Sequence, residues 1–292
     1  MSEIWIQPTG GALGADVHGV DLSKPVSDAT FEQILKAWGD HLVLRFSGQK
    51  LDDPTLLKFS ARFGELDKAP IAAAHHDRID SGVDPACEPW ISIISSVKKN
   101  GVAVGGLGSY ELVWHTDMSY NPLPPRASLL YALEVPPDGG NTGFLNMYEA
   151  YETLPEELKR AIEGKTCIHD SSRNSAGELR KGFQTTYDVR KTPGAVHPLV
   201  RLHPATRRKA LFLGRRPGAY IHGLSVEESE KLLDAIWAHC TQERFAWYQK
   251  WRVGDLVMWD NRCVMHRRDA FDENMHRLMH RTQIVGEPVL AG

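Results

Sequence analysis

The sequence predicts a mainly β protein with peripheral helices, built as a β barrel or double-sheet jelly roll. Short apolar or alternating runs recur along the chain, and 17 prolines and 25 glycines punctuate them. Helical stripes gather early and between groups of strands instead of alternating with them, which fits a doubly wound sheet poorly. No repeat of fixed period and no Gly/Ser or Pro linker divides the chain, so one domain over residues 1–292 is the simpler expectation.

The elements follow in order. A strand is expected from Val17 to Leu22, then a helix capped at Asp28 and carrying Phe31, Ile34, Leu35 and Trp38. Leu42 to Phe46 reads as a strand, and Asp53 followed by Pro54 opens a helical turn with Leu57, Phe59 and Phe63. Strands are expected at Trp90 to Ser95, Leu112 to Tyr120 and Ala127 to Leu133, and a helix from Tyr148 to Glu163. After a short strand at Leu211 to Gly214, Ser225-Val-Glu-Glu228 is a capping box ahead of Leu232, Leu233, Ile236, Trp237 and Cys240. Three strands close the chain, at Leu256 to Trp259, Val264 to His266 and Leu278 to Ile284.

Composition narrows the function. Lys plus Arg (34) nearly cancels Asp plus Glu (37), leaving a formal charge of -3 and no global basic field for nucleic acid or an anionic membrane. Cys87, Cys167, Cys240 and Cys263 lie far apart without a C-x-x-C pair, which argues against a zinc knuckle or a disulfide scaffold and suits a reducing cytoplasm. No apolar run reaches the length of a spanning helix, and the first residues lack a signal-like pattern, so neither export nor a membrane is expected.

G-x-S-x-G, Walker, dinucleotide-binding and H-E-x-x-H signatures are absent, leaving histidine and carboxylate chemistry. Composition alone supplies about two His-x-Asp/Glu triplets by chance, and two occur, His75-His76-Asp77 and His115-Thr116-Asp117. The second is favoured by context. Strand parity there puts Val113, His115, Asp117 and Ser119 on one face and Leu112, Trp114, Thr116, Met118 and Tyr120 on the other. A metal held by His115 and Asp117 needs a third ligand, for which His266 is the best candidate, delivered by an apolar strand, an Asp-Asn turn and a second short strand. Parity also aligns Arg277 with Arg281. Such a pair is more often solvated, but inside a barrel it calls for an anion, and a guanidinium can fork onto a carboxylate.

Taken together, the chain resembles the taurine dioxygenase (TauD/TfdA) family of Fe(II)- and 2-oxoglutarate-dependent dioxygenases. The resemblance is carried by Gly10 to Leu22, Phe59 to Glu65, Trp114 to Asp117, Pro137 to Thr142, Trp259 to Arg262 and His280 to Thr282. It implies a double-stranded β-helix of the clavaminate synthase-like kind, with Fe(II) on His115, Asp117 and His266 and with 2-oxoglutarate and O2 as cosubstrates. It further implies that Arg277 meets the distal carboxylate of 2-oxoglutarate with help from Thr142. Arg281 then serves either the cosubstrate's other carboxylate or a substrate anion.

The implied reaction hydroxylates a C–H bond of a small anionic or zwitterionic molecule and releases succinate and CO2. The segment from about 72 to 110 is expected to act as a lid, with His75, His76, Tyr110 and Glu111 as candidate substrate contacts. A dimer or tetramer is implied by analogy. The residues leave two other readings open, a non-catalytic cupin-like metal- and carboxylate-binding protein and a zinc hydrolase. His197, His203, His222, His239 and His280 are expected to be structural.

Overall fold

The computed structural model describes residues 4–69, 82–109 and 112–292. His75, His76, Tyr110 and Glu111 lie outside the described residues, as does part of the expected lid.

Two sheets face one another. The larger has eight strands, with Leu256–Asp260, Ala127–Glu134 and Leu278–Ile284 side by side and antiparallel at its centre. The smaller pairs Ala246–Gln249 and Val264–Arg268 on either side of Thr142–Asn146. Alternation along the central strands explains the burial of both their faces. Val257, Trp259, Leu130, Ala132 and Met279 point between the sheets, where Trp259 meets Phe144 of the smaller sheet at 5.5 Å between ring centroids. Leu256, Met258, Leu129 and Tyr131 point outward, under α1 (Asp28–His41) and α2 (Asp53–Ser60), with Phe31, Ile34, Trp38, Leu56 and Phe59. Those strands therefore read as nearly continuous apolar runs. On the other side of the molecule, α3 (Met147–Glu152) and α4 (Glu156–Ile162) pack against α5 (Val226–Cys240). The expected jelly roll with helices outside is the observed architecture.

The strand expected at Leu211 to Gly214 falls instead at Lys209–Leu211, and local expectations otherwise hold with four corrections. The cap of α1 is Ser27, whose hydroxyl accepts from the Thr30 amide, and the cap of α2 is Asp52, with Pro54 in the first turn. The stretch from Tyr148 to Glu163 is two helices, because Pro155 has no amide to continue the first and sits at the start of the second. The first expected strand is displaced to Ala15–His18, and the chain leaves it through Gly19 at φ 79°.

The fourth correction concerns the metal motif. Residues 112–120 do not form a strand. Leu112 and His115 donate their amides to Arg268 and His266 carbonyls, extending the smaller sheet by one rung, and the chain then turns from Asp117 to Tyr120 with Met118 at φ 47°. Parity therefore describes the approach to His115 but not Asp117.

Candidate metal centre and its two cavities

His115, Asp117 and His266 bring one donor atom each within 4.8 Å of one another, and all three residues are buried. The nearest atoms are Asp117 Oδ1 and the two Nε2 nitrogens, at 3.7 Å from His115 and 3.8 Å from His266. His115 reaches this point through the rung with His266. Its Nδ1–H donates to the Val113 carbonyl at 2.8 Å, which leaves the Nε2 lone pair facing Asp117.

Asp117 lies in a turn and is held by residues far away in sequence. Its amide donates to Asn261 Oδ1 at 2.8 Å, while Asn261 Nδ2 donates to the carbonyls of Asp117 and Pro125 at 2.9 and 2.7 Å. Ser128 donates to Oδ2 at 2.8 Å, and Gln283 supports Ser128. Oδ1 is left for the imidazoles and for Arg281, whose Nη1 is 3.1 Å away. Neither Asn261 nor Ser128 stood out as a candidate in the sequence. The only signals were the position of Asn261 inside the Trp259 to Arg262 motif and the presence of Ser128 within an apolar strand.

The electrostatics favour metal binding. Burial alone would raise the Asp117 carboxyl, but the Arg281 guanidinium and both imidazoles outweigh it and hold it well below the usual carboxylate range. Burial pushes His266 down to about 3, reinforced by His115, and burial also lowers His115 against the pull of Asp117. A carboxylate and two neutral imidazoles are the ionic forms a divalent metal needs.

A second group, His203, Asp260 and Cys263, meets the same distance criterion but is chemically closed. The amides of Ala205 and Thr206 donate to His203 Nδ1, so Nε2 carries the proton and donates to Asp260 Oδ2 at 3.0 Å. Arg262 occupies both Asp260 oxygens, and burial pushes the Cys263 thiol far up. This is a structural knot. His197 and His239 are likewise held, on the Asn121 and Ala150 carbonyls, and His280 Nδ1 pairs with Asp53 while its Nε2 is buried without a partner.

Two cavities open from the triad. The inner one is lined by Thr142, Trp259, Arg268 and Arg277 besides His115 and His266. Arg277 and Arg281 both reach it, as parity predicts, because the bulge at this point adds Leu133 to the neighbouring strand and leaves their own alternation intact. Arg277 is 1% exposed, has no carboxylate partner among the described residues, and leaves its Nε without an acceptor. Burial lowers its pKa, helped by the nearby Arg268 charge. Thr142 Oγ1 accepts from Trp251 Nε1 at 3.0 Å, so the hydroxyl proton remains available to a ligand. Trp251 had no sequence signal. The outer cavity shares His115, Ile94, Leu107 and Arg281 with the inner one and extends past Asp117 to Tyr120, Arg180 and Arg215.

The family model described as taurine catabolism dioxygenase TauD, TfdA family matches residues 5–283. The chain is 32% identical to the (S)-phenoxypropionate/alpha-ketoglutarate-dioxygenase of Delftia acidovorans over 304 residues, covering 100% of this chain and 98% of that one. Among solved structures it is similar to a taurine dioxygenase from Burkholderia xenovorans, with a TM-score of 0.79, 30% identity, and coverage of 99% of this chain and 91% of the other. It is also similar to AAD-2 in complex with Mn(II) and N-oxalylglycine, with a TM-score of 0.75, 30% identity, and coverage of 99% and 100%.

Proposed function

The chain belongs to the taurine catabolism dioxygenase TauD, TfdA family, and on that footing we propose that His115, Asp117 and His266 hold the ferrous ion of a 2-oxoglutarate-dependent dioxygenase. When bound, Fe(II) and 2-oxoglutarate supply activation of O2, with succinate and CO2 released and a C–H bond of a small anionic organic substrate hydroxylated. The observation that carries the assignment is a three-donor cluster beside a cavity containing a buried cation with no counter-ion among the described residues.

The chain's own residues orient and shield the reactants. His115, Asp117 and His266 would hold Fe(II) through two imidazoles and one carboxylate, a donor set that would leave the metal open to 2-oxoglutarate and O2. Arg277 forks onto the distal carboxylate of 2-oxoglutarate, Thr142 donates its remaining proton there, and Trp251 holds Thr142 in place. A cation buried this deeply is costly without an anion, so the cosubstrate relieves an existing penalty. Arg281 lies between the two cavities with its charge directed at Asp117, where it keeps the carboxylate ionised and acceptor-ready. Leu130, Trp259 and Ile94 wall the inner cavity and exclude water. The relatives named above are dioxygenases, and a zinc hydrolase has no need of the Arg277 and Thr142 pair.

The test is anaerobic addition of Fe(II) and 2-oxoglutarate, followed by admission of oxygen. A weak visible charge-transfer band and then succinate are expected. His115→Ala should lose both, and an unchanged band in that variant would move the metal elsewhere.

A further inference from the structure

The outer cavity carries more positive charge than it neutralises. Arg180, Lys181, Arg215 and Arg281 line it against Asp117 and Glu178. Arg281 is already paired with Asp117, and Glu178 accepts from Asn174 Nδ2 at 2.7 Å. Arg215 differs from the others. It is 8% exposed, and its Nε and Nη2 reach only the Ser175 hydroxyl, at 3.3 and 3.2 Å, while Nη1 reaches the Asp170 carbonyl at 3.3 Å.

These are long bonds to neutral oxygens, and they use three of the five N–H groups of a guanidinium. The carboxylate of Asp170 is turned to the amide and hydroxyl of Ser172, so no described carboxylate forms an ion pair with Arg215. Arg180 adds a second cation, stacked 4.1 Å over the Tyr120 ring, with Arg215 5.7 Å from the same ring. The same cavity is also lined by the apolar side chains of Ile93, Ile94, Leu107 and Met118 and by His115 and Asp117 of the triad, so Arg215 and these two triad residues share one cavity.

We propose that Arg215 is the residue that anchors the substrate's oxyanion, with the apolar body of the substrate against Ile93, Ile94, Leu107 and Met118. Held this way, the body presents its C–H bond to the open side of His115 and Asp117. Arg281, committed to Asp117, is secondary in substrate recognition. The inference rests on the dioxygenase reading of the same site.

The probes are 2-phenoxypropionate, its methyl ester and a linear alkanesulfonate, with affinity read by anaerobic calorimetry on protein loaded with Fe(II) and 2-oxoglutarate and again on metal-free protein. Arg215→Met should weaken the anionic probes roughly 10- to 100-fold in both states and leave the ester unaffected. Arg215→Lys should fall between, because it keeps the charge without the fork. Formation of the visible band by 2-oxoglutarate should be the same in all three proteins, which also shows that the variants fold. Loss confined to the carboxylate or to the sulfonate supports the proposal and names the anion. Equal affinity of wild type and Arg215→Met for both anions, or no binding of either by the wild type, overturns it while the band keeps the dioxygenase reading intact. A wild type without the band overturns that reading instead, and the metal-free titration still decides Arg215.

Discussion

Single side chains far from the metal in sequence decide how well it is held. Asn261 satisfies the Asp117 amide and two carbonyls at once, so Asn261→Ala leaves three buried backbone groups without partners. It should cost about 1–3 kcal/mol of stability and weaken Fe(II) roughly 10- to 100-fold, measured by denaturant unfolding and metal titration. Unchanged metal affinity would show that Asp117 is positioned by the chain turn alone. His169 provides a pH signature. Both its ring nitrogens are buried without partners, it stacks on Phe212, and burial pushes its pKa down to about 3. Its unfolded value is about 6.5, so only the unfolded chain takes up the proton between these limits, and stability is lost as pH falls from about 6.5 toward 3. His169→Leu should be nearly neutral at pH 8 and should reduce the loss between pH 8 and pH 5 by about 2 kcal/mol. An unchanged acid slope would rule out His169 as its source.

Among the elements, the smaller sheet matters most, because it delivers His266 and receives His115. Its central strand carries Gly143, where a Cβ would come within 2.7 Å of Tyr248 and 2.8 Å of Trp114, the residue before His115. Gly143→Ala should therefore displace the Trp114 ring, cost about 1–3 kcal/mol and lower metal affinity, read by calorimetric unfolding and metal titration. The Ser225 cap of α5 is the contrasting case. Ser225→Ala removes a capping box remote from the triad and should cost about 1 kcal/mol with metal affinity unchanged. A metal effect from Ser225→Ala, or none from Gly143→Ala, would contradict this division of roles between sheet and helix.

For the molecule as a whole, the binding cavities store unfavourable energy that ligands release. Arg277 is the clearest instance, and Arg277→Met should leave the metal-free fold as stable or more stable while 2-oxoglutarate binding is lost. A melting temperature that falls in that variant would mean the guanidinium supports the fold directly. Ligand linkage gives the converse experiment. Mn(II) with N-oxalylglycine at one hundred times its dissociation constant should add about 2.7 kcal/mol to wild-type stability. Little of this should remain in Arg277→Met, and chelation should remove the metal-dependent part.

What could be read along the chain was whatever depends on near neighbours. Short apolar runs marked the central strands, Ser225 to Glu228 marked a cap, and His115, Asp117 and His266 stood out as donors in suitable settings. Arg277 and Arg281 were aligned correctly because alternation is a backbone property and the bulge fell on the other strand. The turn at Asp117, the grip of Asn261 on it from 144 residues away, the support of Thr142 by Trp251 and the uncompensated charge of Arg215 were not legible. Each depends on which distant groups share a desolvated space, and desolvation is a property of the assembled sheets that no window of residues contains.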